Sequence, residues 1–426
     1  MNDLFNLTLA QSDTGVDQIN RKFYGRYNYP WQASVFPVYP AGVGTRFLNQ
    51  DLGYWDHQRI EANARIWVAG CGTNQALFTA LKFPQAEVLG TDISTVSLQV
   101  CKKNAEQMGI RNLRLEEKSL NEVDYIHEFD YIICTGVIHH NAEPAGTLNR
   151  IGMALKKNGV LELMVYNYYH RLLTTSCQKA IRTFYDSQES FNMELELSLL
   201  LGLLNDYGQE NEMGQFLKSF KNIPEAAIAD SLLQPVEYSY TIESLGKMAG
   251  ACNLDYLAYC PNQFDVNKGL VNWNMDLGNE QLQERYDQLP DERRWQITNL
   301  LLYKDSPMLW FYFQRKDALY TRKTEREINE GFLATTFGKA NFPMGRYILN
   351  GEGKYGLSDK GLSVAARVAK DGILAAVLER VDGQTSMQGI VDELGIQAKG
   401  QFVQELRTKL TTSAFPLIIA HEHGMH

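Results

Sequence analysis

Gly70, Cys71, Gly72, Thr73 and Asn74 follow the apolar run RIWVA and precede a helical pattern, and Asp92 stands twenty residues after Gly72. A glycine turn between strand and helix lets the backbone approach a ligand, and the helix N-terminus offers free N–H groups. An acid at the tip of the next strand can then take both hydroxyls of a ribose. Strand, turn, helix, strand and acid in that order read as a nucleoside-cofactor site. A dinucleotide site would need the third glycine of GxGxxG, where the helix packs closely on the strand. Here Asn74-Gln75-Ala76-Leu77 fills that stretch, so the loop suits an adenosine cofactor without a pyrophosphate. Asparagine tolerates left-handed backbone angles better than other non-glycine residues, so the turn is expected to close.

Residues that could handle a proton lie further along. His139 and His140 end the run FDYIICTGVIHH, at the strand edge where open α/β sheets place their ligands. An imidazole with an ordinary pKa near 6.5 can take a proton at neutral pH. One of the pair is expected to face the acceptor and the other to be structural. The run VYNYYHR (165–171) ends the next strand on the same edge and adds Tyr166 and His170 as catalytic candidates. Asn167 and Tyr168 in that run are candidate substrate contacts. An aromatic wall favours a cationic or planar acceptor. Upstream, FYGRYNYPW (23–31) offers Tyr24, Arg26, Tyr27 and Tyr29 to the acceptor or to a cofactor carboxylate. An aromatic staple fastening the N-terminal arm is an equal alternative for those four.

Positioning these groups requires a layered α/β fold. RIWVAG, AEVLGTDIS, NLRLEE, FDYIICTG and VLELMVYN read as strands, with NQALFTALKF, TVSLQVCKKNAEQMG and AGTLNRIGMALKKNG as helices between them. The alternation predicts a doubly wound parallel sheet. Residues 172–233, rich in Leu, Glu and Asn, read as a helical cap inserted after the fifth strand. PMLWFYFQR (307–315) reads as the last strand. The chain is thus divided into an N-terminal lid or arm (1–60), a cofactor-binding domain with its cap (61–318), and a C-terminal accessory domain (319–426). The last is expected to be a small α+β unit resembling a winged helix.

The net charge of −9 weighs against nucleic acid, because phosphate binding needs clustered Lys and Arg. The C-terminal helices mix Lys370, Arg380, Arg407 and Lys409 with Asp371, Glu379, Asp392, Glu393 and Glu405, which leaves no basic face. That region reads as a regulatory or dimerising module, and a homodimer through it is an expectation. Six scattered cysteines without a CxxC pair suit free thiols in a reducing compartment. With no eighteen-residue apolar run and no secretory leader, a cytoplasmic protein without membrane contact is expected. The terminal HEHGMH reads as a solvated tail, and no metal is expected.

Residues 65–167 resemble a class I S-adenosylmethionine-dependent methyltransferase. The resemblance rests on Gly70-Cys71-Gly72-Thr73, Asp92 and FDYIICTGVIHH in their order and spacing. Two residues depart from the family pattern: Val68 replaces the acid before the first glycine, and Asn74 replaces the third glycine. The resemblance implies a Rossmann-like seven-stranded sheet and S-adenosylmethionine as cofactor. It implies that Gly70, Cys71, Gly72 and Asn74 line the methionine moiety, Asp92 takes the ribose, and Ile93 flanks the adenine. Thr135 and Gly136 would close the floor. The family's adenine-binding acid falls near Ser119, so adenine is expected to meet backbone groups around Ser119 and Leu120. DSLLQPVEYSYT (230–241) resembles a segment before the penultimate helix in a branch of these enzymes that includes ones acting on protein lysines. The expected activity is in-line methyl transfer to O or N of a small molecule. A protein or peptide amine methyltransferase is the alternative, and a cofactor-binding regulatory protein that no longer methylates is the reading of another class.

Overall fold

Apolar runs without alternation need helices on both faces of their sheet. The computed structural model, which describes residues 13–27, 33–185, 191–358, 372–398 and 400–421, has that arrangement. Helix α1 (Asp13–Arg26) leads to strand β1 (Val35–Val38) and helix α2 (Val43–Asp51). The central unit follows with β2 (Arg65–Ala69), α3 (Gln75–Lys82), β3 (Glu87–Asp92), α4 (Thr95–Gln107) and β4 (Leu113–Glu117). It continues through β5 (Phe129–Thr135), α5 (Pro144–Ala154) and β6 (Leu155–Val165). The inserted helices are α6 (Tyr168–Thr183), α7 (Met193–Asp206), α8 (Glu212–Lys218) and α9 (Glu225–Leu232). Then come α10 (Ile242–Ala251), β7 (Leu254–Tyr259), α11 (Gln263–Asn267), α12 (Glu280–Asp287), α13 (Asp291–Leu302) and β8 (Leu309–Arg315). The last region contains α14 (Glu325–Ala334), β9 (Phe337–Lys339), β10 (Gly345–Leu349) and β11 (Tyr355–Leu357). It ends with α15 (Ile373–Arg380), α16 (Met387–Glu393), α17 (Gly400–Thr411) and β12 (Ile418–Ala420).

The seven-stranded sheet runs β4-β3-β2-β5-β6-β8-β7. Its strands are parallel from β4 to β6, whereas β8 runs antiparallel to both neighbours. The five strands read from the alternation, β2 to β6, are parallel as expected, and the last strand is the antiparallel one. The chain leaves β7 and re-enters at β8 from the same edge, so the strand must run back. Along β2 the side chains alternate between two cores. Ile66 and Val68 pack with Leu77, Val88 and Cys101 on one face, and Trp67 and Ala69 with Ile132, Ile151 and Leu163 on the other. Buried Trp67 satisfies its indole N–H with Thr91 Oγ1 at 2.9 Å, a bond between adjacent strands.

The cap has its own core, including Cys177, Ile181, Leu200 and Leu232, and α1 contributes Phe23 and Tyr27 to it. Residues 35–52 pack elsewhere. β1 pairs antiparallel with β10, and Gln50 Nε2 donates to the carbonyl of Thr411 at 2.7 Å. Of the described residues before 60, Phe23 and Tyr27 join the cap, Phe36, Leu48 and Leu52 join the core beside β2, and β1 and Gln50 meet the C-terminal region, so they do not form one arm. In the C-terminal region the helices α14 to α17 and the β9–β12 pair share one apolar cluster. No helix among the described residues is long and apolar enough to cross a membrane.

Candidate functional site

The glycine loop is held closed by the strand beside it. The N–H groups of Gly70 and Cys71 both donate to the carbonyl of Thr91, at 2.8 and 2.9 Å. Gly70 (φ +71°) and Gly72 (φ +54°) take the left-handed angles, as glycine does without strain. A Cβ at Gly70 would meet Cγ2 of Val137 at 2.5 Å, so the position also needs glycine for space. Asn74 has φ −138° and starts α3, so its tolerance of left-handed angles is not called upon. It is buried and lies beside the cleft rather than in its lining. Exchanging an N-cap asparagine for glycine costs only a few tenths of a kcal/mol. Asn74→Gly is therefore expected to change the dissociation constant of S-adenosylhomocysteine by no more than about threefold, measured by calorimetry. A much larger loss would show that the amide itself makes a needed contact.

Asp92 closes the loop from β3. Its Oδ2 accepts from Gly72 N–H and its Oδ1 from Ser94 N–H, both at 2.8 Å. Burial pushes the carboxyl above its ordinary range, and the backbone donors oppose that rise. A cleft of about 440 Å³ opens here along the carboxyl edge of the sheet, within the range of small-molecule sites. Following the strand order, its lining starts at Ser119 and Leu120 after β4, and passes Asp92 and Ile93 after β3. Gly70, Cys71 and Gly72 form its centre, with Thr135 and Gly136 beyond them. Gln75 Nε2 holds Thr135 Oγ1 at 2.6 Å. The far end is walled by Tyr24, Tyr166, Asp230, Met308 and Trp310. Every expected cofactor residue except Asn74 thus borders one cavity.

The histidine pair separates. His140 lines the cleft, and its Nδ1 lies 2.8 Å from the carbonyl of Val236, which requires Nδ1–H. In a neutral ring Nε2 is then the acceptor. Burial lowers its basicity, as it does for His139. His139 is fully enclosed outside the cleft lining, packed on the rings of His140 and Tyr166 at 4.2 and 4.0 Å. Neither of its ring nitrogens has a hydrogen-bond partner among the described residues. Tyr166 lines the cleft, with the Arg171 guanidinium 4.3 Å from its ring centre.

His170 is turned away from the cleft: its Nε2 meets the carbonyl of Ser306 at 2.7 Å, and burial lowers its pKa to about 4. Asn167 caps α6 and donates to Ser306 Oγ and the carbonyl of Pro307. Tyr168 stacks edge-on against Tyr169 and is not part of the lining. Of the upstream tyrosines, Tyr24 reaches the cleft, whereas Tyr27 is buried in the cap and donates to Glu225. Arg26 pairs with Glu194 on the surface. Tyr29 lies outside the described residues, as does the tail after His421.

Reading the sequence missed Asp17, Asn20 and Asp230 as site residues, and all three line the cleft. Asp17, Asn20 and Tyr24 are spaced three and four apart on α1, so they share one face. That spacing was visible in the sequence. Asp230 was not: it is brought in by the cap. Gln234, wholly buried, donates from Nε2 to Tyr24 Oη at 3.0 Å and to Asp230 Oδ1 at 3.2 Å. Burial raises the Asp230 carboxyl to about 6, opposed by the nearby Arg171 guanidinium. Arg171 itself is held by two bonds of 2.6 Å to Glu237.

The cavity fits an adenosine cofactor carrying an amino acid arm. Its lining joins the Asp92 carboxylate, suited to a diol, to apolar Ile93 and Leu120 and to the glycine turn. Residues 60–217 match the family model of a methyltransferase domain. An uncharacterized protein of Rickettsia prowazekii is 31% identical over 203 residues, covering 45% of this chain and 76% of that one. The chain belongs to the class I S-adenosylmethionine-dependent methyltransferases. S-adenosylmethionine is the cofactor that goes with this fold. An uncharacterized protein of Synechococcus sp. is 26% identical over 248 residues, 56% of this chain, and the match spans 57% of that protein's length. In fold, the methyltransferase is similar to PKMT2 from Rickettsia typhi, with a TM-score of 0.55 at 14% identity, over 90% of this chain and 77% of that one. PKMT2 has also been solved in complex with AdoHcy.

Proposed function

We propose that the protein transfers a methyl group from S-adenosylmethionine to the nitrogen of a cationic amine. The observation that carries this reading is the Asp230 carboxyl, which lines the cleft together with Tyr24 and Tyr166 and shares the Gln234 amide with Tyr24. In this reading Gly70, Cys71 and Gly72 cradle the amino acid arm, Asp92 takes the ribose, and Ile93 with Leu120 encloses the adenine. Bound there, the cofactor supplies an electrophilic methyl group on a sulfonium.

The chain's own residues have three tasks. Asp230 attracts the ammonium form of the acceptor, and the electron-rich ring of Tyr24 favours the same charge. An ammonium must lose a proton before its nitrogen has a lone pair, and a carboxylate with a pKa of about 6 accepts one at neutral pH. Tyr24 keeps its own proton, because burial raises its hydroxyl well above the ordinary range. Gln234 fixes Asp230 and Tyr24 together, which aligns the acceptor without further motion. His140 Nε2 is a further acceptor at the same wall, and its lowered basicity suits orientation rather than proton removal.

The amine belongs to a small molecule in our first reading. A lysine of a protein or peptide is the second. It is favoured because Asp230 sits in the segment that resembles a branch including enzymes acting on protein lysines, and the fold neighbour spanning most of the chain bears the name PKMT2. The test is incubation with methyl-labelled S-adenosylmethionine and separate metabolite and protein fractions of a cell extract, followed by mass spectrometry of labelled products. Label on nitrogen in the metabolite fraction supports the first reading, and label on lysine nitrogen supports the second. Label on oxygen, or S-adenosylhomocysteine binding without any labelled product, overturns the amine proposal.

A further inference from the structure

The position after β4 where an acid was expected to meet adenine carries Ser119, and a carboxylate reaches that place from another element. Ser119 Oγ donates to Asp17 Oδ2 at 2.5 Å, and Asn121 Nδ2 donates to Asp17 Oδ1 at 3.2 Å. Asp17 is half-buried on α1 and lines the cleft beside Ser119, Leu120 and Ile93. One turn further along the same face, Asn20 is 4% exposed and also lines the cleft. Its Nδ2 donates to the carbonyl of His140 at 2.8 Å, while its Oδ1 has no hydrogen-bond partner among the described residues. Arg21 fastens this stretch by donating to the carbonyl of Ile93 at 3.2 Å. The lining here joins apolar Ile93 and Leu120 to the side-chain oxygens of Asp17 and Asn20, a combination that suits an aromatic ring with an N–H donor on its rim.

We propose that Asp17 recognises the exocyclic amino group of the adenine, so that the N-terminal helix supplies the acceptor missing after β4. Ser119 and Asn121 hold the carboxylate in place, and Asn20 offers a second acceptor in the same cleft. Ser119 thus acts through Asp17 as a positioning residue. Because α1 also places Phe23 and Tyr27 in the cap core, the group that reads the base is tied to the cap bearing Asp230. This inference rests on the cofactor reading and goes beyond it.

The test compares two ligands by calorimetry: S-adenosylhomocysteine, and S-inosylhomocysteine, in which an oxo group replaces the amino group. A carboxylate accepts from the amino group and repels the oxo group. The wild-type protein is expected to bind S-adenosylhomocysteine at least tenfold more tightly than the inosine compound. Asp17→Asn, which can donate its amide N–H to the oxo group, is expected to reduce that preference at least tenfold. Asp17→Ser, which removes the charge and keeps a hydroxyl toward Ser119, should lower the preference in the same direction. Thermal unfolding checks that each variant is folded. Equal losses for both ligands would show that Asp17 only anchors the helix and would overturn the proposal, as would an unchanged preference. Failure of the wild-type protein to bind S-adenosylhomocysteine at all would overturn the cofactor reading and this inference together.

Discussion

Asp92→Ala is expected to weaken S-adenosylhomocysteine binding by at least tenfold, and on the order of a hundredfold if both ribose bonds are lost. A hydrogen bond to a charged group contributes about 1.5–3 kcal/mol, and each 1.4 kcal/mol is a factor of ten. The same carboxylate accepts from the N–H groups of Gly72 and Ser94, so its removal also releases the glycine loop. Calorimetry on a folded variant reads the combined loss, and unchanged affinity would remove the ribose site from this cleft. Because burial raises this carboxyl, its ionised form is lost at a higher pH than for an exposed aspartate. Affinity should therefore begin to fall on mild acidification.

Asp230→Asn is expected to lower turnover of an amine acceptor by about 10²–10⁴, the usual span for a lost general base, with cofactor affinity preserved. In the wild-type protein kcat/KM should rise with pH through about 6 as Asp230 ionises, and the variant should lack that limb. The stability effect has the opposite sign. The folded carboxyl, at about 6, lies above an unfolded aspartate at 3.8, so the native state holds more protons between these values. Stability then declines as pH rises from about 4 to 6, and the neutral asparagine escapes that decline. Above pH 6 the variant should melt at a higher temperature than the wild-type protein while turning over more slowly. A variant with full turnover would exclude Asp230 as the proton acceptor.

The cofactor half of the cleft was legible because its parts are local. Gly70, Gly72, Asp92, Thr135 and Gly136 each lie at or just after the end of a strand, and parallel strands bring their carboxyl ends to one edge. Once the order of strands is read, the order of these residues along the cleft follows. The left-handed φ at Gly70 and Gly72 likewise follows from residue type. Asn74 was misjudged in its reason: it is the N-cap of α3 with φ −138°, so the loop needs no third left-handed residue.

Sequence by itself therefore determined the sheet, the glycine turn and the acid at the tip of β3, whose surroundings depend on neighbours a few residues or one strand away. Tertiary structure alone decided which of several plausible polar groups line the cleft. His139, His140, Tyr166 and His170 were equivalent as residue types, yet His140 and Tyr166 line the cleft while His139 is enclosed beside it and His170 binds Ser306. The cleft lining also draws Tyr24 from α1, Tyr166 from the end of β6, Asp230 from α9 in the cap and Met308 from just before β8. Asp17 reaches Ser119 across 102 residues of sequence. Such meetings depend on how the apolar faces of α1 and the cap helices pack against each other, and that packing is set by long-range burial rather than by any local pattern.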